Sequence, residues 1–455
     1  MSSLAASLAT ALSGLTADEG ALNATTNNVA NINTPGYSRE VPVLESRDPV
    51  IEGNVTFGSG IDLKHIESIR DPILESEIQQ ETETQGKLNA LVSALSNTQT
   101  GFTTSAGDIG TAISNFFDSL NQLSTSPADL SLRQSVLTAA GNVASAFNIA
   151  ANNLTGQRTN LDGSVAQTVG QINELAQQIA QLNVQISNLE NAGESAGTFV
   201  DERTQLIDQL SSLIDVSVIP TDNSLTLSTA HGTALVVGGR SFSLTSHLDA
   251  SGVQHISSQG SDITATIVSG QLGGLLQARD QEIPSIKTQL DTLAAGLANA
   301  VNQAQTSGYD LSGQQGTNLF NLPSSGTGAA ASISVALTDP SLIAASSDAT
   351  AGSNGNVEAM YSLRNQAIIS GQNPTDYYSS IVFNVGNAVF GATAEQSASN
   401  LILQQLNDQR SSISGVSLDE EAANLMRYQQ AYSASAEVIS SINSMMQTII
   451  NMKTS

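Results

Sequence analysis

Residues 8–29 read Leu8-Ala-Thr-Ala-Leu-Ser-Gly-Leu15-Thr-Ala-Asp-Glu-Gly-Ala-Leu22-Asn-Ala-Thr-Thr-Asn-Asn-Val29, and Leu8, Leu15, Leu22 and Val29 stand seven residues apart. The far end keeps the same interval at Leu418, Leu425, Tyr432, Ile439 and Met446. An apolar repeat of that period places one stripe along a helix, and such a helix must bury its stripe against another. Two unmatched stripes at opposite ends of one chain satisfy each other most simply. The termini are therefore expected to pair as a coiled coil and close the chain on itself.

Each terminal helix carries its own punctuation. After the first comes Asn31-Ile-Asn33-Thr34-Pro35-Gly36-Tyr37, where Pro35 pushes Thr34 out of the helical region and Gly36 can take the positive φ of a type II turn. The second opens on Ser417-Leu-Asp-Glu420, a capping box in which the Ser417 hydroxyl accepts from the Glu420 N–H and the Glu420 carboxylate reaches back. Glu420 and Glu421 read as a solvated first turn that complements the helix dipole.

Between the ends the period changes twice. Leu154, Leu161, Leu175, Leu182 and Leu189 hold one heptad position and Val165, Ile172, Ile179 and Ile186 another, broken in the leucine series only by Thr168. Ile283, Ile286, Leu290, Leu293, Leu297 and Val301, then Val382, Val385, Val389, Leu403, Leu406 and Ile413, repeat the alternation, so three helices are expected to share one rod-like bundle. From 215 to 270 the period falls to two, with Asp-Asn, His-Gly and Gly-Gly turns, predicting a small antiparallel β insertion that projects as a lobe. The stretch 307–356 is dense in Gly, Ser and Ala and reads as loop and turn, partly mobile, with one strand near Ser332 to Leu337. The fold class is thus mainly α with a β insertion, in discontinuous domains: 1–38 with 417–455, 39–214 with 271–416, and 215–270.

Composition and motif searches exclude most chemistry. The 455 residues carry a net charge of −26 with only 15 Lys and Arg, which disfavours nucleic acid and anionic lipid. There is no cysteine, hence neither disulfides nor thiolate metal sites. The first ten residues lack the basic and apolar runs of a cleavable signal, and no stretch approaches the 18 apolar residues of a membrane span. His65, His231, His247 and His255 lack a metal-binding spacing, Gly326-Thr-Gly328-Ala-Ala-Ala331 follows no strand, and Gly308 to Gly316 offers one carboxylate, too few for calcium. No metal, cofactor or catalytic set is expected.

The segment Asn27-Asn28-Val-Ala-Asn31-Ile-Asn33-Thr-Pro35-Gly36-Tyr37-Ser-Arg39 closely resembles the N-terminal signature of bacterial flagellar rod, hook and hook-associated proteins. Ser417-Leu-Asp-Glu-Glu-Ala-Ala-Asn-Leu-Met-Arg-Tyr-Gln-Gln-Ala-Tyr432 resembles the matching C-terminal signature in its hook-associated protein 1 form. Two internal stretches, Asp201-Glu-Arg-Thr-Gln-Leu-Ile-Asp-Gln-Leu-Ser211 and Gly308 to Phe320, are similar to that family as well, and the long helices flanking a β insertion distinguish it from β-rich hook and distal-rod proteins. Glu40, where Gln commonly follows Ser-Arg, and Asp18 on the first seam depart from the pattern.

The resemblance implies a structural subunit at the hook–filament junction, exported through the flagellum's own type III channel without a cleavable signal peptide. Its implied partners are copies of itself in a ring or helical layer, hook protein on one side, a second junction protein or the filament on the other, and an export chaperone. The seam residues would drive assembly, with termini poorly ordered in the free monomer. Asn23, Asn27, Asn28 and Asn31 are expected to form the subunit-contact face, Asn33, Pro35, Gly36, Tyr37 and Arg39 the turn. The rival readings are another axial protein, hook or distal rod, and a secreted adhesin whose β lobe binds a surface ligand.

Overall fold

The computed structural model describes residues 2–34, 36–52, 55–103, 108–221, 224–250, 252–324, 326–350 and 352–454. The chain begins with α1 (Ser2–Asn31) and continues through a long hairpin of β1 (Glu40–Ser46) and β4 (Ile61–Ser68), with β2 (Val50–Glu52) and β3 (Val55–Phe57) as its paired tip. The β1–β4 hairpin packs along α1: a Cβ on Gly20 would lie 2.3 Å from Leu63 Cδ2, so a larger residue there would force Leu63 to move. The expected connector is thus a third layer of the terminal unit, which extends past residue 38.

The body is built from α2 (Pro72–Thr103), α3 (Ile109–Thr125), α4 (Leu130–Ala192) and α5 (Gly197–Leu213). The 63 residues of α4 contain no proline. Asp129 caps its start by accepting from Ser131 N at 2.7 Å, and left-handed Gly193 ends it. Its Val165, Ile172, Ile179 and Ile186 are all buried, and Thr168, the break in the repeat, satisfies its hydroxyl on Ser164 O at 2.9 Å.

Next come two antiparallel sheets. One is β5 (Ser217–Thr221), β6 (Ser224–Ser228), β7 (Ala234–Val237) and β8 (Arg240–Ser241) in sequence order; the other places β10 (Gln254–Ser258) between β9 (Leu244–Leu248) and β11 (Ser261–Asp262). The β insertion does not project free of the helices. Leu225, Leu227, Leu235, Val236, Leu244 and Ile256 share one core with Val165 to Ala180 of α4, because a sheet this small has one apolar face and no other layer to cover it.

A continuous helix follows as α6 (Gly270–Gln277) and α7 (Ile283–Ser307), joined by a π-helical turn at Ala278–Glu282. Buried Arg279 in that turn donates to Asp162 Oδ1 at 2.9 Å and to Gln254 O at 2.6 Å, tying α4, β10 and the turn together. The segment beyond α7 contains β12 (Phe320–Asn321), α8 (Ala329–Ser332), β13 (Ser334–Val335) and α9 (Gly355–Ser362). It was expected to be a partly mobile loop and is instead docked on the core through Leu319, Phe320, Ala330, Ile333 and Ile343. Buried polar side chains satisfy its irregular backbone: Asn302 exchanges two 2.8 Å bonds with Phe320, and Arg133 donates to Ile343 O at 2.6 Å. Asp291 accepts from Gly328 N and Ala330 N, which occupies the N–H groups that a dinucleotide phosphate would need.

The last body helix, α10 (Pro374–Ser414), divides its packing. Tyr378, Ile381 and Val385 join α4 and α7 in the central core, as expected, but Ala392 packs with Leu91 and Leu95 of α2, and Leu403 with Leu74 and Ile78. The expected three-helix bundle is therefore a bundle of more helices in which α2 packs along one side of α10. The chain closes with α11 (Leu418–Thr454), antiparallel to α1, so that Asp18 meets Ser435 and Asn28 meets Glu421.

Glu83 of α2 is buried where β5 approaches and accepts from Val216 N at 2.7 Å; burial, with Asp215 nearby, pushes its pKa up to about 7. Below about pH 4.5 the group is protonated whether the chain is folded or not. As pH rises toward 7 only the folded form keeps that proton, so its contribution to stability falls through this window. Glu83→Gln should raise stability at pH 8 by about 1–2 kcal/mol and leave it unchanged near pH 4, measured by urea unfolding at both values; an equal effect at both pH values would contradict the assignment.

Candidate assembly interface

The terminal pair is anchored to the body by a polar node that the apolar repeat does not show. Asn28, buried on α1, donates to Glu40 O at 2.8 Å and to Glu421 Oε2 at 3.2 Å. Its Oδ1 accepts from Glu40 N at 2.8 Å and from the Tyr37 hydroxyl at 2.9 Å. Arg39 then donates to Glu421 Oε1 and pairs with Glu420 Oε2, both at 2.8 Å, and its own N–H bonds to Ser414 O at 2.9 Å. Every polar atom of Asn28 is satisfied, and Glu421, 1% exposed, is compensated by a guanidinium and an amide. Burial, reinforced by Glu40, Asp201 and Glu421, holds the Tyr37 hydroxyl protonated far above the usual phenol range, so its proton stays available to Asn28.

Helix α5 carries the node into the body. Asp201 accepts from Ser38 N at 3.2 Å and pairs with Arg70, which also donates to Thr204 Oγ1 at 2.8 Å. Burial raises the Asp201 pKa although Arg70 opposes it. Gly36 takes φ +77°, and a Cβ there would lie 2.8 Å from Gln205 Nε2, so the turn and α5 touch directly. From the same helix Arg203 donates to Asn183 Oδ1 at 3.0 Å while Asn183 Nδ2 holds the Leu225 and Gly238 carbonyls of the β insertion. Asp208 lies 3.6 Å from Arg410 of α10; burial and then Glu75 push its pKa up to about 7. The Asp201–Ser211 motif thus joins terminal unit, β insertion and α10.

The predicted seam residues are only partly covered. Leu8, Leu15, Leu22, Leu425, Ile439 and Met446 are half-buried; Val29, Leu418 and Tyr432 are exposed. The buried stripe of α1 is instead Ser13, Ala17, Asp18, Ala21, Ala24, Thr25 and Asn28, offset from the leucines. Small side chains let α11 and the β1–β4 hairpin approach closely on two sides, which leaves the leucines at the margins. Burial raises the pKa of Asp18, opposed by its bond to Ser435, consistent with a residue that fixes register at a cost.

Three further expectations change. The asparagines of α1 do not form an outward face: Asn27 donates to Glu40 Oε2 at 3.0 Å and Asn31 to Asn27, so their amides serve the chain itself, and only Asn23 and Asn33 are exposed. Glu420 pairs with Arg39 rather than reaching back to complete a capping box, while the Ser417 carbonyl accepts from Glu421 N at 2.9 Å at the start of α11. Glu421 is buried, not a solvated charge. Pro35 lies outside the described residues.

Several large apolar side chains remain exposed on the terminal pair. Met426, Met445 and Met452 are 58%, 54% and 69% exposed, and Leu12, Leu418, Val438, Ile449 and Ile450 stand beside them on the two helices. Apolar side chains left in water in this number on one helical pair are consistent with an interaction site. Among the described residues no helix is long and apolar enough to cross a membrane.

Comparison with known proteins agrees with this organisation. Residues 95–320 match the helical domain of flagellar hook-associated protein FlgK, residues 8–37 the flagella basal body rod protein family, and residues 408–452 the C-terminal family of flagellar basal body rod FlgEFG proteins. Flagellar hook-associated protein 1 of Bacillus subtilis (strain 168) is 30% identical, with 99% of each chain aligned. The chain belongs to the flagellar hook-associated protein 1 family. The Escherichia coli (strain K12) member is 25% identical over 97% of this chain and 99% of its own. The solved structure of the flagellar hook junction protein FlgK from Burkholderia pseudomallei shares the fold, with a TM-score of 0.67 at 19% identity, over 74% of this chain and all of that one. As a family member the protein is a structural component of the bacterial flagellum.

The node predicts unequal roles for two adjacent glutamates. Glu421→Ala strips a buried partner from Arg39 and Asn28 and should cost about 2–4 kcal/mol in the docking of the terminal pair. Glu420→Ala, at a side chain 61% exposed, should cost under about 0.5 kcal/mol. Amide exchange should show lost protection in α1 and α11 for the first variant alone, with α4 and α7 unchanged; equal loss from both would contradict the node.

Proposed function

We propose that this chain is the subunit that joins hook to filament, assembling into a ring or helical layer through its paired terminal helices. The single observation that carries this reading is the set of large apolar side chains left exposed on the terminal pair, from Leu12 on α1 to Met452 on α11. A lone molecule leaves them in water, and neighbouring copies would cover them. The names of the Bacillus subtilis and Burkholderia pseudomallei proteins support placing it at the junction. Hook protein would contact one side of the layer and a second junction protein or the filament the other, after export with a chaperone. The chain would act by contact alone, without catalysis or cofactor. The seam residues Leu8, Leu15, Leu22, Leu425, Ile439 and Met446, half-covered by their own partner helix, would complete their burial against neighbours.

Purified full-length chain added to hooks lacking their junction should restore filament growth, and a chain without residues 1–38 should not. Growth with the truncated chain would overturn assembly through the terminal pair, and no growth with the full chain would overturn the junction role.

A further inference from the structure

Helix α10 leaves one face uncovered along most of its length. Phe383, Phe390 and Leu401 are 65%, 75% and 69% exposed, and Asn387, Ala394 and Ser397 between them are exposed as well. At 100° per residue all six fall within about 40° of one line, a strip about 27 Å long. The opposite face is fixed, since Tyr378, Ile381, Val385, Ala392 and Leu403 are buried. The strip therefore stands on a rigid element. Aromatic residues are only 4% of this chain, yet two phenylalanines stand in water two turns apart.

The electrostatics indicate what covers them. Residues 377–407 hold a single charged side chain, Glu395, which lies about 120° around the helix from Phe383. Two copies of a chain with net charge −26 repel where acidic faces meet, so a face nearly free of charge is one on which copies can approach closely. A basic partner would seek the acidic surface instead. The chain's own undescribed residues cannot span the strip, the longest such run being 104–107.

We propose that this face of α10 is a second contact between copies of the chain, in which Phe383 and Phe390 insert against a different surface of the neighbouring body, as a ring or helical layer requires. The proposal rests on self-assembly as argued above and adds a body-to-body contact to the terminal one. Because the sequence has no cysteine, Asn387→Cys carrying a benzophenone maleimide places one photo-crosslinker on the strip. On hooks to which the labelled chain has been added, light should link two copies of this chain, and the added pair Phe383→Ser and Phe390→Ser should abolish the link.

Those serines replace side chains already in water, so the thermal melt should not change while incorporation falls at least tenfold. Crosslinks only to another protein, no intermolecular crosslink, or normal incorporation of the double variant would each overturn the proposal. If the chain lacking residues 1–38 fails to assemble while the double serine variant assembles normally, only the α10 contact is overturned; if the truncated chain assembles, the terminal reading falls instead.

Discussion

Glu421 is buried between Arg39 and Asn28, and the rest of the terminal architecture depends on that contact. It draws together three places distant in sequence: the end of α1, the strand that leaves it and the start of α11. An ionised carboxylate so enclosed is tolerable only with its partners in place, so the geometry of all three is set at once. From there Ser38 and Asp201 pass the constraint to α5, and Arg203 and Asp208 pass it on toward the β insertion and α10. The direction in which the terminal pair leaves the body is fixed by polar bonds, whereas its lateral faces keep large apolar side chains in water.

This division suits a protein that must be positioned before it is covered. Hydrogen bonds and ion pairs are directional and hold an angle, while apolar surface is tolerant of register and contributes in proportion to the area removed from water. The polar node can orient the helices in a single chain, and the apolar faces remain for other subunits. The small residues Ala17, Ala21 and Ala24 serve the first task by letting layers approach; the leucines and methionines at the margins serve the second.

Much of this was legible in the sequence, because periodicity reports which face of a helix is buried. The heptads at Val165, Ile172, Ile179 and Ile186, and at Ile283 to Val301, lie in the core as their spacing requires. Strands β5 to β11 fall within the predicted 215–270 stretch, although the β1–β4 hairpin with its tip and the β12–β13 pair lie outside it. Pattern failed where burial is decided by size or by a distant partner. The leucines of α1 lost the central seam to alanines because three layers meet there. Glu421 looked solvated because its partners lie 382 and 393 residues away. The 307–356 stretch looked loose because the side chains that dock it, Arg133, Asn302 and Gln305, belong to other elements. A signal did exist: Arg39 in one signature and the acidic pair in the other are complementary charges.

The account claims above all that the outer face of the terminal pair is bare in the single chain and covered in the assembly. Methionine footprinting reads this without altering the protein, since thioether oxidation follows exposure. Met426, Met445 and Met452 should oxidise rapidly in the free chain and be protected on assembled hooks, with core Met360, fully buried, protected in both. If those three methionines oxidise as fast in the assembly as in solution, the terminal pair is not the surface by which copies meet.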